Sequence, residues 1–170
     1  MGWLDWMSGA KAPKEGVTPA VATDLHKALL AVNRSSAPFI VREENTGSAD
    51  LIAEWKIVDA GWYEIFGRAH LTKVARVLLR LDEIQKEVRS CDEIWSVEWH
   101  TGVPNLSASG EYFRGQQTSI EFGAGYAFTE ELQYGQVYRY RFSTKELKSP
   151  LQDIVSNHGW RWRPVAFGKL

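Results

Sequence analysis

Between about residues 50 and 142 the chain repeatedly places an apolar side chain at every second position. The clearest case is residues 137–142, where Tyr138, Tyr140 and Phe142 fall on one side and Arg139 and Arg141 on the other. A period of two marks half-buried antiparallel strands, because successive side chains of a strand point to opposite faces. The pattern therefore predicts a β-rich body with an apolar lining and a wet exterior.

The length of 170 residues suits one domain with a core large enough to need neither metal nor disulfide. Apolar residues make up 44%, an ordinary share for a folded protein. With 20 basic and 21 acidic side chains the formal charge is −1, so no general footprint for nucleic acid is expected. Cys91 is the only cysteine, which excludes an internal disulfide and fits a reducing compartment. The first residues lack a basic n-region and a continuous apolar core. No stretch approaches the roughly 18 unbroken apolar residues of a spanning helix. These features together predict a cytoplasmic protein with no membrane span.

The opening residues divide in two. Trp3, Leu4, Trp6 and Met7 form a small apolar knot, and residues 8–17 carry Gly9, Pro13 and Gly16 with two lysines, a linker composition. A helix is predicted next, with Thr18 as cap and Pro19 at its first position. Val21, Leu25, Ala28, Leu29 and Val32 give it one apolar stripe. Strands are predicted over residues 39–41 and 51–58, with Leu51, Ala53, Trp55 and Ile57 on one face. Asp59-Ala60-Gly61 breaks the second, and residues 62–66 resume an extended run. Residues 68–80 suit either period, with Leu71, Val74, Ala75, Leu78 and Leu79 at helical spacing and Ala75, Val77, Leu79 and Leu81 at strand spacing. A strand over 73–82 is favoured because a turn at Asp82-Glu83-Ile84-Gln85 follows, and then a hairpin partner in which Trp95, Val97 and Trp99 alternate with Ile94, Ser96, Glu98 and His100. Further strands are expected near residues 106–113 and 118–128, before the run at 137–142. Ser149 and Pro150 read as the start of a late helix that Gly159 stops. Trp160 and Trp162, alternating with Arg161 and Arg163, close the chain as a short strand.

Few residues assemble into recognisable chemistry. His26, His70, Cys91, His100 and His158 show no metal-ligand spacing, and no phosphate-binding loop or nucleophile elbow is present. Neither a metal nor another cofactor is therefore expected. Glu98 and His100 lie two apart on a predicted strand and share a face, which makes them the one acid–base pair suited to a hydrolase or isomerase. The eight tryptophans stand out. Aromatic side chains fill wide β cores and also line apolar pockets.

Three stretches carry a resemblance. They are residues 55–66, beginning Trp55-Lys56-Ile57 and ending Ile65-Phe66; residues 126–130, from Tyr126 to Glu130; and residues 138–147, beginning Tyr138-Arg139-Tyr140-Arg141. They resemble small bacterial proteins of an uncharacterised family. The resemblance implies no activity, ligand or catalytic residue.

The expected architecture is α+β. A predominantly antiparallel sheet of about seven to nine strands, strongly curved or barrel-like, carries an N-terminal helix and a short late helix. Residues 1–17 form an aromatic segment and linker ahead of a single domain, residues 18–170. The expected function is non-enzymatic binding of an apolar small molecule or peptide, with Trp95, Trp99, Tyr126, Tyr138 and Tyr140 as the aromatic wall. The alternative is an interaction module that forms homo-oligomers through Trp3, Leu4, Trp6 and Met7.

Overall fold

The computed structural model describes residues 9–68, 71–113, 128–131, 137–140, 143–166 and 169–170. The elements follow in the order α1 (Ala22–Leu30), β1 (Phe39–Glu43), β2 (Leu51–Trp55), α2 (Tyr63–Arg68), β3 (Lys73–Asp82), β4 (Glu87–His100), β5 (Val103–Phe113), β6 (Phe128–Glu131), β7 (Val137–Tyr140), α3 (Thr144–Asn157) and β8 (Arg161–Pro164). The apolar knot of Trp3, Leu4, Trp6 and Met7 lies outside the described residues, as do residues 118–127 of the strand expected over 118–128.

The main sheet runs β1-β2-β3-β4-β5 in antiparallel order. Strand β4 is long enough to have two neighbours on one side. Its first residues, from Glu87 to Ser90, pair with β8 in parallel, and Asp92 onward pairs with β5. Strands β6 and β7 form a separate antiparallel pair. The class is α+β as expected, but the sheet differs from the expected one. Among the described residues it has six strands, is mixed through β8, and does not close. Alternation reports which residues share a face, and closure depends on what covers that face. Here helices α1 and α3 cover it.

Turn chemistry explains the hairpins. Asp82 Oδ1 accepts from the backbone N–H groups of Ile84 (3.1 Å) and Gln85 (3.0 Å), folding the chain between β3 and β4. Thr101 and Gly102 have φ of 50° and 82°, and His100 pairs directly with Val103. That is a two-residue primed turn, whose twist matches that of the strands it joins.

One face of the sheet holds the main core. Leu51, Ala53 and Trp55 of β2 and Ala75, Val77 and Leu79 of β3 pack with Leu25 and Leu29 of α1 and Leu147, Leu151 and Val155 of α3. Trp160 and Trp162 are fully buried beside them. On the opposite face Ile52, Leu78 and Cys91 stand in register across β2, β3 and β4 and form a second, smaller cluster with Ala49.

The two expected helices start elsewhere than predicted, and a third helix stands where an extended run was expected. Helix α1 begins at Ala22 with Val21 as a cap that has no side-chain hydrogen bond, three residues beyond Pro19. The preceding segment is held elsewhere. Ala20 N–H donates to the His158 carbonyl (2.9 Å), and Trp160 Nε1 donates to the Ala20 carbonyl (2.8 Å). Helix α2 replaces the extended run expected over residues 62–66. Asp59 starts it by accepting from Gly61 N–H through its side chain and from Trp62 N–H through its carbonyl. Trp62, Ile65 and Phe66 then pack inward at helical spacing. Helix α3 starts at Thr144, not Ser149. Ser143 Oγ caps it by accepting from Glu146 N–H, and Pro150 lies inside it. The stripe Leu147, Leu151, Val155 is fully buried, and that burial outweighs the hydrogen bond proline cannot donate.

Candidate functional site

Strand β2 leaves the sheet earlier than its neighbour β3. Their ladder ends where Glu54 pairs with Arg76, so residues 73–75 of β3 run on without a β2 partner. A groove of about 250 Å³ opens there, lined by Trp55, Ile57, Val58, Val74, Ala75, Leu106 and Trp95, with Arg42, Glu54 and Arg76 at its polar side. The volume corresponds to roughly eight waters at ~30 Å³ each, space for a small organic group.

Trp95 is placed by an irregularity in the β4–β5 ladder. Ile94 lies opposite Glu111 and Trp95 opposite Ala108, so β5 carries Ser109 and Gly110 as extra residues. Such bulges re-aim neighbouring side chains. The Trp95 ring is then fixed on two sides. Its Nε1 donates to Glu93 Oε2 (2.9 Å), and the Arg76 guanidinium carbon lies 4.4 Å from its ring centroid. Arg76 Nε donates to the same Glu93 oxygen. Across the groove Arg42 Nε donates to Glu54 Oε1 (2.7 Å). This hydrogen bond to Glu54 raises the pKa of Arg42 above its ordinary value, against the smaller opposing effect of burial. The register Glu54–Arg76–Glu93 makes these groups one charged row across β2, β3 and β4.

Of the expected aromatic wall, Trp95 lies on the groove. Trp99 does not line it. Its Nε1 donates to the Leu71 carbonyl (2.8 Å), and its ring covers Gly67 of α2, where a Cβ would stand 3.7 Å from Cζ3. Tyr126 and the side chains of Tyr138 and Tyr140 lie outside what is described; the backbones of the last two belong to β7. Glu98 and His100 lie together as their spacing predicts, 3.6 Å apart, and both are about 70% exposed at 73% and 69%. Trp55, Arg42, Glu54, Arg76 and Leu106 were not singled out from the sequence. Their approach depends on strand register, and the available signal was the opposite charges of Glu54, Arg76 and Glu93 at equivalent positions of successive strands.

A second concavity, about 580 Å³, lies between α1 and the β1–β2 and β3–β4 turns. His26, Lys27, Glu43, Glu44, Asp50 and Glu83 are on its walls, with Ala22 and Leu81 as its apolar members. His26 stands 3.6 Å from Glu43 there. It is the larger of the two, but among the described residues six ionisable side chains line it against three at the groove, and none of its lining residues is Phe, Tyr or Trp, so it suits an apolar ligand less well than the groove beside Trp95.

Among the described residues no group of three His, Cys, Asp or Glu side chains is arranged to hold a metal ion. No helix among them is long and apolar enough to cross a membrane. No family model, curated protein or solved structure matches the chain.

Proposed function

We propose that the protein is a non-enzymatic binding domain and that the groove beside Trp95 receives an apolar small molecule or the apolar part of a peptide. The supporting observation is a held indole ring, Trp95, on the wall of an otherwise mostly aliphatic recess of about 250 Å³. Recesses of this kind, apolar with a few fixed polar groups, are where small ligands bind. The ring is pre-positioned by Glu93 and Arg76, so little ordering is left to be done on binding.

The test is protein-detected NMR with two neutral probes, indole and octanamide. Both are expected to move the Trp95 indole N–H resonance more than that of Trp99. Trp95→Ala should weaken binding about tenfold, the loss expected for removing part of an apolar wall. If neither probe moves the Trp95 signal at millimolar concentration, the groove is not a ligand site.

A further inference from the structure

We infer that the ligand of this groove is an amphipathic monocarboxylate, its apolar body against Trp95 and Leu106 and its carboxylate on Arg76. The inference rests on the groove being a ligand site and adds the chemical class.

Arg76 is half-buried and held as a rigid plane. Its ring-face contact with Trp95 sets the tilt, and its Nε hydrogen bond to Glu93 sets the rotation. Among the described residues its hydrogen bonds run through Nε, which leaves the two terminal nitrogens and their four N–H donors for something else. Terminal nitrogens of a fixed guanidinium present two parallel donors, the geometry that a planar carboxylate matches with both oxygens. Arg42 is differently disposed, since its Nε is taken by Glu54 and a terminal nitrogen lies 3.8 Å from Glu44. A carboxylate at the terminal nitrogens of Arg42 would meet the like charge of Glu44, which makes Arg76 the better placed of the two donors for such a ligand.

The charge of the row argues for one negative charge and not two. Arg42 and Arg76 already face Glu54 and Glu93, and Glu44 adds a third carboxylate on the Arg42 side. A monoanion adds a single charge beside Arg76, whereas a phosphate dianion would face these carboxylates with no further cation to offset it. The recess also limits the ligand to on the order of ten non-hydrogen atoms, the size of a short fatty acid, an aryl-alkanoic acid or the last residues of an apolar peptide.

Calorimetric titration of the full chain with octanoate, octanamide and octylamine tests this directly. Octanoate should bind about ten- to a hundredfold more tightly than octanamide, as charge-assisted hydrogen bonds allow, and octylamine should be the weakest. Acetylated trileucine as free acid and as amide should show the same preference for the acid. Whichever acid binds more tightly identifies a free acid or a peptide end as the source. Arg76→Gln should erase the acid-over-amide ratio, whatever it does to the affinity for octanamide itself, since the side chain also holds the Trp95 ring. Arg76→Lys, which keeps the charge and loses the fork, should retain only part of the ratio. Equal binding of octanoate and octanamide overturns the carboxylate while the groove remains a ligand site. Absence of binding by all three overturns both.

Discussion

Gly159 is the residue on which the C-terminal part of the molecule turns. It follows His158, the cap of α3, and has φ of 75°. Trp160 N–H donates to the Val155 carbonyl (3.1 Å) and Gly159 N–H to the Ser156 carbonyl (3.0 Å), the paired bonds of a Schellman ending. The apolar contact that accompanies this motif is present too, since Val155 and Trp160 belong to the same core. A Cβ on Gly159 would stand 2.8 Å from Pro19 Cα and 3.0 Å from the Val17 carbonyl, both backbone atoms. Gly159→Ala is therefore expected to lower stability by on the order of 3 kcal/mol, from left-handed backbone and close packing together. Urea denaturation reads this, and a change below about 0.5 kcal/mol would contradict it. Cys91 shows the opposite kind of residue control. Fully buried between Ile52, Leu78 and the strand backbone, its thiol is pushed up to about 11, chiefly by desolvation and secondarily by Asp92. A thiol held that far from its thiolate is a packing residue and not a nucleophile.

At the level of elements, two of the outer strands, β1 and β8, are covered by polar groups from other parts of the chain. Edge strand β1 turns the N–H and carbonyl of Val41 outward, and the Asn33 side chain meets both, accepting from the N–H and donating to the carbonyl at 2.7 Å each. One amide side chain thus stands where a neighbouring strand would pair. On β8, Trp162 exchanges backbone hydrogen bonds with Lys11 at 3.0 and 2.9 Å. Lys11 also pairs with Asp153, Lys14 N–H donates to the Ser156 carbonyl, and Ser156 Oγ donates to the Ala12 carbonyl. Residues 11–14, part of the stretch whose composition reads as a linker, are in this way tied across α3 and β8. Exposed edges are templates for pairing with other chains, so these covers act against self-association. Asn33→Ala should cost about 1–3 kcal/mol, the sum of two ordinary hydrogen bonds, and should produce concentration-dependent growth in light scattering. Asn33→Asp, which keeps the acceptor and loses the donor, should give a smaller loss. Equal stability of all three proteins would show that the side chain does not seal the edge.

Across the whole molecule, one buried ion pair joins the helix layer to the sheet. Lys148 of α3 lies 2.6 Å from Asp92 of β4, with 3% and 2% of the two side chains exposed. Among the described residues Asp92 Oδ1 has no hydrogen-bond partner. Desolvation raises the pKa of Asp92 above 3.8, and the nearby Lys148 opposes that rise without cancelling it. Removing one partner of such a pair strands a buried charge. Lys148→Met is expected to destabilise by about 3–5 kcal/mol at pH 7, while Asp92→Leu combined with Lys148→Met should be near neutral or stabilising. The pH dependence follows from the raised carboxyl pKa. The folded form holds the Asp92 proton more tightly than the unfolded chain, so stability grows as pH falls through the folded-state pKa and the gain levels off below 3.8. The deficit of Lys148→Met relative to the natural chain should accordingly shrink between pH 7 and pH 4.5. A deficit constant across that range in denaturant titrations would show that Asp92 is not the stranded charge.

Short-range patterning was sufficient for much of this architecture. Alternation placed β1, β2, β3 and β4, because the faces of a strand are set by neighbours two apart and need no knowledge of the partner strand. It also put Trp160 and Trp162 inward and marked Gly159 as a helix stop, since a left-handed position after a helix is a local demand. Trp95 was picked out as a wall residue on the same basis. Tertiary contacts decided the rest. Pro150 reads locally as a helix start, yet the buried stripe of α3 carries the helix through it. Thr18 and Pro19 read as a helix start too, but packing of that segment against Gly159 and His158 delays α1 to Ala22. Trp62, Ile65 and Phe66 stand at helical spacing, but over five residues that signal is short, and the turn at Asp59 is what starts the helix. The groove was the least legible feature, because Arg76, Glu93, Glu54 and Trp55 are scattered along the chain. They meet only through the register of three strands and the point at which β2 departs, and register is a property of paired strands that no single stretch of sequence contains.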